Sequence, residues 1–247
     1  MTATPKPADT RRLYQQVADR IRTVIREGQY EVGSRLPPER ELALQLGVSR
    51  PSLREALIAL EIDGRIEIRM GSGVYVCAPT IAAERGTPAL GESPTELMQA
   101  RATLEGAVVV LAAARVTRAG LDRVADSLAA MKREHARGRM PVEADRRFHL
   151  GIAELAGNTV LVRMVGALFD GRHSPISSRM SGHAETVQTW TVALAEHERI
   201  YRALEARDPQ AAAAAMFTHL RASEERWVAE PATFPEPPFD AIDKDAP

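Results

Sequence analysis

The first 78 residues combine three helical patterns and one alternating pattern in an order that few folds can accommodate. Apolar residues recur at helical spacing from Leu13 until the pattern ends at Gly28. A second helix can begin at Pro38, and Ser49 can cap the start of a third. These positions leave only a tight turn between the second and third helices, as in a helix-turn-helix.

Strict alternation of apolar residues follows the third helix. Ile66 and Ile68 alternate with polar residues, a Gly-Ser-Gly turn comes next, and Val74 and Val76 alternate again. This spacing predicts a small β-hairpin. The whole order predicts a winged helix-turn-helix at residues 10–78, although a small α+β domain without a DNA-binding role would show the same pattern.

The start of the predicted third helix has the chemistry of a DNA-recognition helix. Backbone N–H groups and short or basic side chains point outward from such a turn. The side chains expected to do so here are those of Ser49, Arg50, Ser52 and Arg54. Arginine suits bidentate contact with guanine or phosphate, and Arg40 near the start of the second helix could reach the DNA backbone.

Beyond a Pro- and Gly-containing linker at residues 79–92, the sequence has helical patterns only. Ser-Pro-Thr-Glu from Ser93 is a capping signal, and Thr117 can cap the next helix. Further helices are predicted at about 141–156, 159–169, 185–206 and 209–229. Residues 93–230 are therefore predicted to form an all-α bundle of six or so helices, followed by a flexible, Pro-rich tail at 231–247.

Charge and composition limit the class of protein. Residues 1–79 hold 12 basic and 10 acidic residues, whereas residues 80–247 hold 20 and 23. A slightly basic N-terminal part permits DNA binding without establishing it.

Cys77 is the only cysteine, which excludes an intrachain disulfide. The sequence shows no signal-peptide pattern and no run of about 18 apolar residues, so we expect a cytoplasmic protein without a membrane partner.

Four residues of the predicted bundle could converge on a metal ion. Asp145 and His149 are four positions apart and share a helix face, and His197 and His219 lie on two later helices. Three imidazoles and one carboxylate inside a bundle suit zinc, nickel, manganese or iron. Spacing alone leaves open the alternative that each is an ordinary core or surface residue. The histidines without a matching partner are interpreted as surface or loop residues: His135, His173 and His183.

A metal held by three histidines can activate water, but the sequence offers no companion motif of a hydrolase. HExxH, GxSxG and a glycine-rich phosphate loop are all absent. A metalloenzyme also has no need of a DNA-binding head. The interpretations that remain are a regulator that responds to an organic ligand, a sensor of the metal itself and, less favoured, a metalloenzyme.

Four N-terminal segments carry motifs that occur together in one family: Tyr14–Val17, Gly33–Ala43, Val48–Ala56 and Gly71–Val76. They resemble the GntR family of bacterial transcription regulators. The resemblance implies that DNA is contacted by Arg40, Arg50, Ser52, Arg54 and Gly71. Two positions depart from the family pattern. Pro51 stands where Thr or another donor is frequent, and Met70 stands where a basic residue is frequent at the tip of the wing.

Five C-terminal segments carry a second set of motifs: Arg101–Glu105, Asp145–His149, Ala156–Asn158, His197–Ile200 and Met216–Leu220. They resemble the FCD effector domain of FadR-type regulators. This resemblance implies that Asp145, His149, His197 and His219 are ligands of a divalent metal, with zinc favoured over nickel, manganese or iron. Short runs near Arg11, Ala56 and Glu96 look most like the hexuronate-responsive branch.

The resemblance implies a transcription factor rather than an enzyme: a repressor that binds an inverted-repeat operator as a homodimer. A small carboxylate, such as a sugar acid, would release it from the operator. Arg101, Asn158 and Arg172 are the candidates for contacting that effector. An arginine in a helical core is otherwise costly, although a structural salt bridge would also explain it.

Overall fold

The computed structural model describes residues 11–28, 30–78 and 89–228. These residues form ten α-helices and one two-stranded sheet. Most of the expected linker, residues 79–88, lies outside the described residues, as does the expected tail at 231–247. The predicted fold class, a winged helix-turn-helix followed by a helical bundle, is confirmed.

The N-terminal domain has the predicted order of elements, which is α1 Leu13–Glu27, α2 Glu39–Leu46, α3 Arg50–Ile62, β1 Ile66–Arg69 and β2 Gly73–Val76. Ser49 caps α3, where its Oγ accepts a hydrogen bond from the Ser52 amide at 3.2 Å. Gly47 ends α2 with a φ of +62°, a conformation that glycine adopts without strain. Pro51 lies in the first turn of α3, where its missing N–H costs no helical hydrogen bond.

The wing has an additional partner that the alternation did not predict. β1 and β2 are antiparallel, with Ile68 opposite Val74. The segment before α2 lies along the other edge of β2, because the Leu36 amide donates to the Val74 carbonyl at 2.8 Å. The wing is therefore anchored to the loop that precedes α2 and to the α1–α3 core.

The C-terminal domain is a bundle of seven helices within the described residues. They are α4 Pro94–Ala114, α5 Arg118–Ala136, α6 Val142–Leu155, α7 Thr159–Asp170, α8 Pro175–Ala184, α9 Val187–Glu205 and α10 Pro209–Val228, with a 3₁₀ turn at Gly171–His173. Helix α8 was not predicted. Its ten residues include three serines and a glycine, and only Ile176 and Met180 are large buried apolar residues. Ser174 and Pro175 are its only start signal.

Helix α4 lies at the centre of the bundle, against α6, α7, α9 and α10. Among the described residues it is the one helix with the length and apolar composition of a membrane span. Its position explains the composition, because Val108, Val109 and Ala112 are buried against neighbouring helices. Arg101 and Glu105 are buried on the same helix as an ion pair.

The DNA-recognition helix α3 also contacts the bundle. Tyr14, Ile58, Leu90, Ile176 and Met180 form one apolar cluster between the two domains. Full burial of a large apolar side chain stabilises the folded state by about 1.5–3 kcal/mol relative to leaving it exposed. The interface therefore holds the recognition helix against the bundle as well as within its own domain.

Two carboxylates of α3 extend this interface. Glu55 accepts hydrogen bonds from Ser93 Oγ at 2.8 and 2.9 Å and from the Thr95 amide at 2.8 Å, at the start of α4. Glu61 accepts hydrogen bonds from two residues of α8, Arg179 Nε at 2.8 Å and His183 Nε2 at 3.0 Å.

The interpretation of His183 as a surface or loop residue is therefore wrong. Its side chain is 14% exposed and lies in the contact between the domains. The start signal for α8 was not recognised, so nothing in the sequence pattern placed His183 on a helix.

We expect Glu55→Ala to destabilise the protein. The substitution leaves the Ser93 hydroxyl and the Thr95 amide buried without an acceptor, which costs about 1–3 kcal/mol. Urea unfolding followed by circular dichroism should show a lower midpoint than wild type. Glu67→Ala, an exposed carboxylate on β1, is the matched control and should unfold like wild type. Equal midpoints for all three proteins would show that the contact contributes nothing.

Candidate metal centre, ligand cavity and DNA-binding face

The structure brings together all four residues predicted to bind a metal. Asp145 and His149 project from α6, His197 from α9 and His219 from α10, and all four are buried. One ligand atom from each lies within 4.8 Å of the others. Asp145 Oδ1 is 2.7 Å from His197 Nε2 and 3.5 Å from His149 Nε2. These three atoms are buried without a well-aligned hydrogen bond between them or to another described residue.

The outward-facing nitrogen of each histidine has an acceptor. His149 Nδ1 donates to Glu105 Oε2 at 2.5 Å, and His219 Nδ1 donates to Glu196 Oε2 at 2.8 Å. His197 Nδ1 donates to the Ala193 carbonyl at 2.7 Å. Because a carbonyl or carboxylate oxygen only accepts, each Nδ1 carries the hydrogen and each Nε2 presents its lone pair to the centre.

This donor set fits a divalent metal ion. Three imidazole nitrogens and one carboxylate oxygen suit borderline ions such as zinc. Buried polar atoms are normally hydrogen-bonded, so three neighbouring atoms without such bonds indicate that a positive centre belongs among them. The outer contacts from Glu105 and Glu196 resemble those that orient histidine ligands in metal sites.

Without a metal, the cluster shares its protons unequally. Burial would raise the pKa of Asp145, but the close approach of the His149 and His197 imidazoles holds that pKa well below its usual range. Burial would lower the pKa of His149, but the charge of Glu105 and contact with Asp145 raise it to about 9. Burial, followed by repulsion from His197, lowers the pKa of His219 to about 3. Metal binding here therefore competes with a proton on His149.

A cavity of about 490 Å³, counted out to its open mouth, adjoins the cluster. Asp145, His197 and His219 form one part of its wall. Two of the three predicted effector contacts, Arg101 and Arg172, also line it. Its remaining polar and aromatic wall is made by Glu185, Thr189, Trp190, Ser223, Arg226 and Trp227.

Arg101 is a buried cation with unused donor capacity. Its Nε donates to Glu105 Oε1 at 2.7 Å, and its guanidinium lies 4.6 Å from the centre of the Phe169 ring. Its Nη2 is buried and has no hydrogen-bond partner among the described residues. A buried guanidinium nitrogen without an acceptor is costly, so this atom is suited to an anion in the cavity.

Arg172 links the cluster to the far wall of the cavity. Its Nη2 donates to Glu185 Oε1 at 2.7 Å, and its Nη1 lies 3.6 Å from Asp145 Oδ2. Only 11% of the side chain is exposed. Arg172 therefore has structural ion pairs as well as access to the cavity.

Asn158 does not lie in this cavity, contrary to the expectation that it contacts the effector. Its exposed side chain caps α7, where Oδ1 accepts hydrogen bonds from the Val160 amide at 2.9 Å and the Leu161 amide at 3.3 Å. An asparagine after Ala-Gly is typical of a helix N-cap. The local capping role explains the motif.

Sequence reasoning missed several residues of the site. Arg101 and Glu105 are four positions apart on a helix, which is a signal for their ion pair that could have been used. No spacing pattern indicates Glu185, Trp190 or Trp227, because they come from helix ends and from two different helices.

The residues predicted to contact DNA lie on or beside one face of the winged domain. Arg40, Ser49, Arg50 and Gly71 are exposed, and Ser52 is half-buried at the start of α3. Gly71 has a φ of +71° in the three-residue turn of the wing. Sequence reasoning missed Arg35, which is also exposed on this side and lines the groove between the wing and α2.

Arg54 is the exception to the expectation of outward-pointing side chains. Only 6% of its side chain is exposed, and its Nη1 lies 4.0 Å from Glu39 Oε2 of α2. It forms part of the floor of the groove between α2 and the wing. The reason is packing, because α3 is covered on all sides from Leu53 to Leu60, and Arg54 is covered by α2 and the wing.

A winged helix-turn-helix joined to a helical bundle defines a DNA-binding regulator. Comparison with known families agrees, since residues 13–76 match the model of bacterial regulatory proteins of the gntR family, and residues 96–222 match the FCD domain. The chain therefore belongs to the gntR family of transcriptional regulators with an FCD domain, and it is a regulator rather than an enzyme.

Two regulators from Escherichia coli support this assignment. The chain is 36% identical to the Exu regulon transcriptional regulator of Escherichia coli K12 over 86% of this chain and 83% of that protein. It is 35% identical to the Uxu operon transcriptional regulator of the same organism, over 87% and 86%. A solved GntR structure from Streptococcus agalactiae is 26% identical over 86% of this chain and 99% of that chain, with a TM-score of 0.47.

We expect His149→Ala to abolish metal binding at this cluster, because it removes one of four ligands. Glu105→Gln should weaken metal binding by about 10- to 100-fold, since it alters only the contact that orients His149. Metal titration of each full-length variant, monitored by mass spectrometry, measures both effects. His135→Ala, at a half-buried histidine of α5 outside the cluster, should bind metal like wild type. Undiminished metal binding by His149→Ala would contradict this assignment.

Proposed function

We propose that this regulator represses transcription and leaves its operator when a small sugar acid binds in the cavity beside a divalent metal. The observation that carries the proposal is the buried Nη2 of Arg101, which has no acceptor among the described residues and lines the same cavity as the cluster. A carboxylate is the complementary partner for an arginine. Binding of an anion by Arg101 in this cavity requires neither a nucleophile nor a leaving group.

Asp145, His149, His197 and His219 would hold the metal, for which zinc is the first candidate and nickel, manganese and iron are alternatives. When bound, the metal supplies a Lewis-acid anchor for the carboxylate and adjacent hydroxyl of the effector. Arg101 then orients the anionic end, and Arg172 supplies a second charge on the opposite side of Asp145.

The relatives guide the choice of effector and assembly. The names Exu and Uxu belong to regulators in Escherichia coli, and the hexuronate motifs of this sequence agree with them. We propose a hexuronate such as glucuronate or galacturonate as the effector, with a related aldonate as the alternative. We also propose a cytoplasmic homodimer that places two winged domains on an inverted repeat, because one such domain covers too few base pairs for specificity.

The contacts between the domains provide a route from the cavity to DNA. Arg172 and Glu185 pair across the two ends of the segment that contains α8. That helix holds Glu61 of α3 through Arg179 and His183. A ligand that changes the Arg172–Glu185 pair therefore acts on the element that positions the recognition helix. Differential binding of about 2–3 kcal/mol would lower operator affinity roughly 30- to 150-fold.

For DNA binding, we expect Arg50→Ala to abolish specific operator binding while the fold persists. Arg50 is exposed at the start of α3, and loss of one bidentate contact costs about 1–3 kcal/mol in each half-site. Gel-shift titration with an inverted-repeat operator measures this loss, and sedimentation should find two chains on each duplex. Arg118→Ala, at a residue whose side chain is 89% exposed on the bundle, is the control. Wild-type affinity in Arg50→Ala, or one chain per operator, would contradict the proposal.

For effector response, we expect galacturonate or glucuronate to release the wild-type protein from DNA only when metal is present. His197→Ala should lose both metal and response, because Nε2 of His197 faces the centre of the cluster. Operator binding measured by fluorescence anisotropy, with and without a chelator, checks this. A full effector response after chelation would contradict the metal-anchored mechanism. Release by metal alone, without sugar acid, would instead identify a metal sensor.

A further inference from the structure

Part of the cavity wall, joined to the cluster through Arg172, has a composition that an anion site alone does not explain. It contains a carboxylate, Glu185, and both tryptophans of the chain, Trp190 and Trp227. Glu185 would repel a ligand that is anionic throughout. A carboxylate in the wall of this cavity suits a ligand that brings hydrogen-bond donors to it.

Glu185 has capacity for such donors. Its Oε1 accepts from Arg172 Nη2 at 2.7 Å, and its Oε2 accepts from Trp190 Nε1 at 3.2 Å. A carboxylate offers about four acceptor positions. A side-chain contact with Trp227 adds to these two contacts. The three contacts fix the orientation of Glu185 and leave acceptor capacity for a hydroxyl group in the cavity.

The tryptophans supply an apolar surface beside those acceptors. Trp190 is 6% exposed and is packed into the bundle core, while Trp227 is partly buried against the same core. An indole ring combines a flat apolar face with one polar N–H, and here the Trp190 N–H is bound to Glu185. A sugar presents the complementary surface, with hydroxyl groups at its edge and C–H groups on its faces.

We propose that Glu185, Trp190 and Trp227 form a polyol-binding subsite, which selects a six-carbon polyhydroxy acid over a three-carbon 2-hydroxy acid. This inference rests on the proposed function, because the carboxylate end of the ligand is assigned to Arg101 and the cluster. Both acids carry that end. Only the longer acid carries further hydroxyl groups that extend from the cluster, past Arg172, to Glu185.

The test uses the full-length, metal-loaded protein with galacturonate and L-lactate as the two probes. Because both tryptophans line the cavity, their emission reports ligand contact with the subsite, and calorimetry gives the dissociation constants of both ligands. Wild type should bind galacturonate at least about tenfold more tightly than lactate. The reason is that only galacturonate has hydroxyl groups that can donate hydrogen bonds to the charged Glu185 carboxylate. Only galacturonate should change the emission strongly.

Glu185→Gln should raise the dissociation constant of galacturonate by about tenfold or more, with metal content unchanged and lactate binding unaffected. Glu205→Gln, an exposed carboxylate near the end of α9, is the matched control and should behave as wild type. If Glu185→Gln fails to fold, Trp227→Phe serves in its place. It should lose the same preference, because Phe keeps the apolar contact with the core but presents a smaller face to the sugar.

The outcomes separate this inference from the proposed function. Equal affinity of wild type for galacturonate and lactate would overturn the polyol subsite while leaving an acid effector intact. Unchanged galacturonate affinity in Glu185→Gln would also overturn it, as would a parallel loss of both ligands, which would indicate a purely structural role. If wild type binds neither acid, the proposed function itself fails.

Discussion

The structure depends on a polar cluster in the middle of an apolar bundle. Burial of unpaired polar or charged groups costs several kcal/mol, so such a cluster persists only when each member has a partner. The outward nitrogens of the three histidines meet this condition through Glu105, Glu196 and the Ala193 carbonyl. The inward atoms lack such partners among the described residues, and a proton on His149 or a bound metal ion would supply one. Because these side chains come from α4, α6, α9 and α10, the same centre also ties four helices together.

The position of α4 makes this centre relevant to DNA binding. Its buried segment carries Arg101 and Glu105, and its first turn is held by Glu55 of the recognition helix. The other contact of that helix, through Glu61, reaches α8 beside the cavity. Helix α3 is therefore held between two elements of the bundle that border the cavity. A ligand can shift operator affinity only by the difference between its affinities for the DNA-binding arrangement of these contacts and for the released arrangement.

Periodicity and caps were sufficient to predict the helix-turn-helix, the wing and most of the bundle, because long amphipathic segments give strong signals. They failed at α8, where a short serine-rich helix has few apolar residues and only a Ser-Pro start. The grouping of Asp145, His149, His197 and His219 was predicted from the one-turn spacing of the first two together with the resemblance to the FCD domain, because spacing alone left it open. Burial of Arg54 depends on neighbouring helices, which spacing does not reveal. The capping role of Asn158 could have been predicted, because asparagine is a favoured N-cap and a helix was expected from residue 159. Glu61, His183 and Trp227 acquire their roles only from contacts that are distant in sequence.

We propose that the cluster binds a metal through three imidazoles and one carboxylate and leaves access for a sugar acid. X-ray absorption at the zinc edge of the zinc-loaded, full-length protein measures these ligands. We expect imidazole scattering from three nitrogens at about 2.0–2.1 Å together with one carboxylate oxygen. We also expect a change in the oxygen scattering when galacturonate is added. A spectrum dominated by water oxygens, without imidazole scattering, would show that the cluster does not bind the metal.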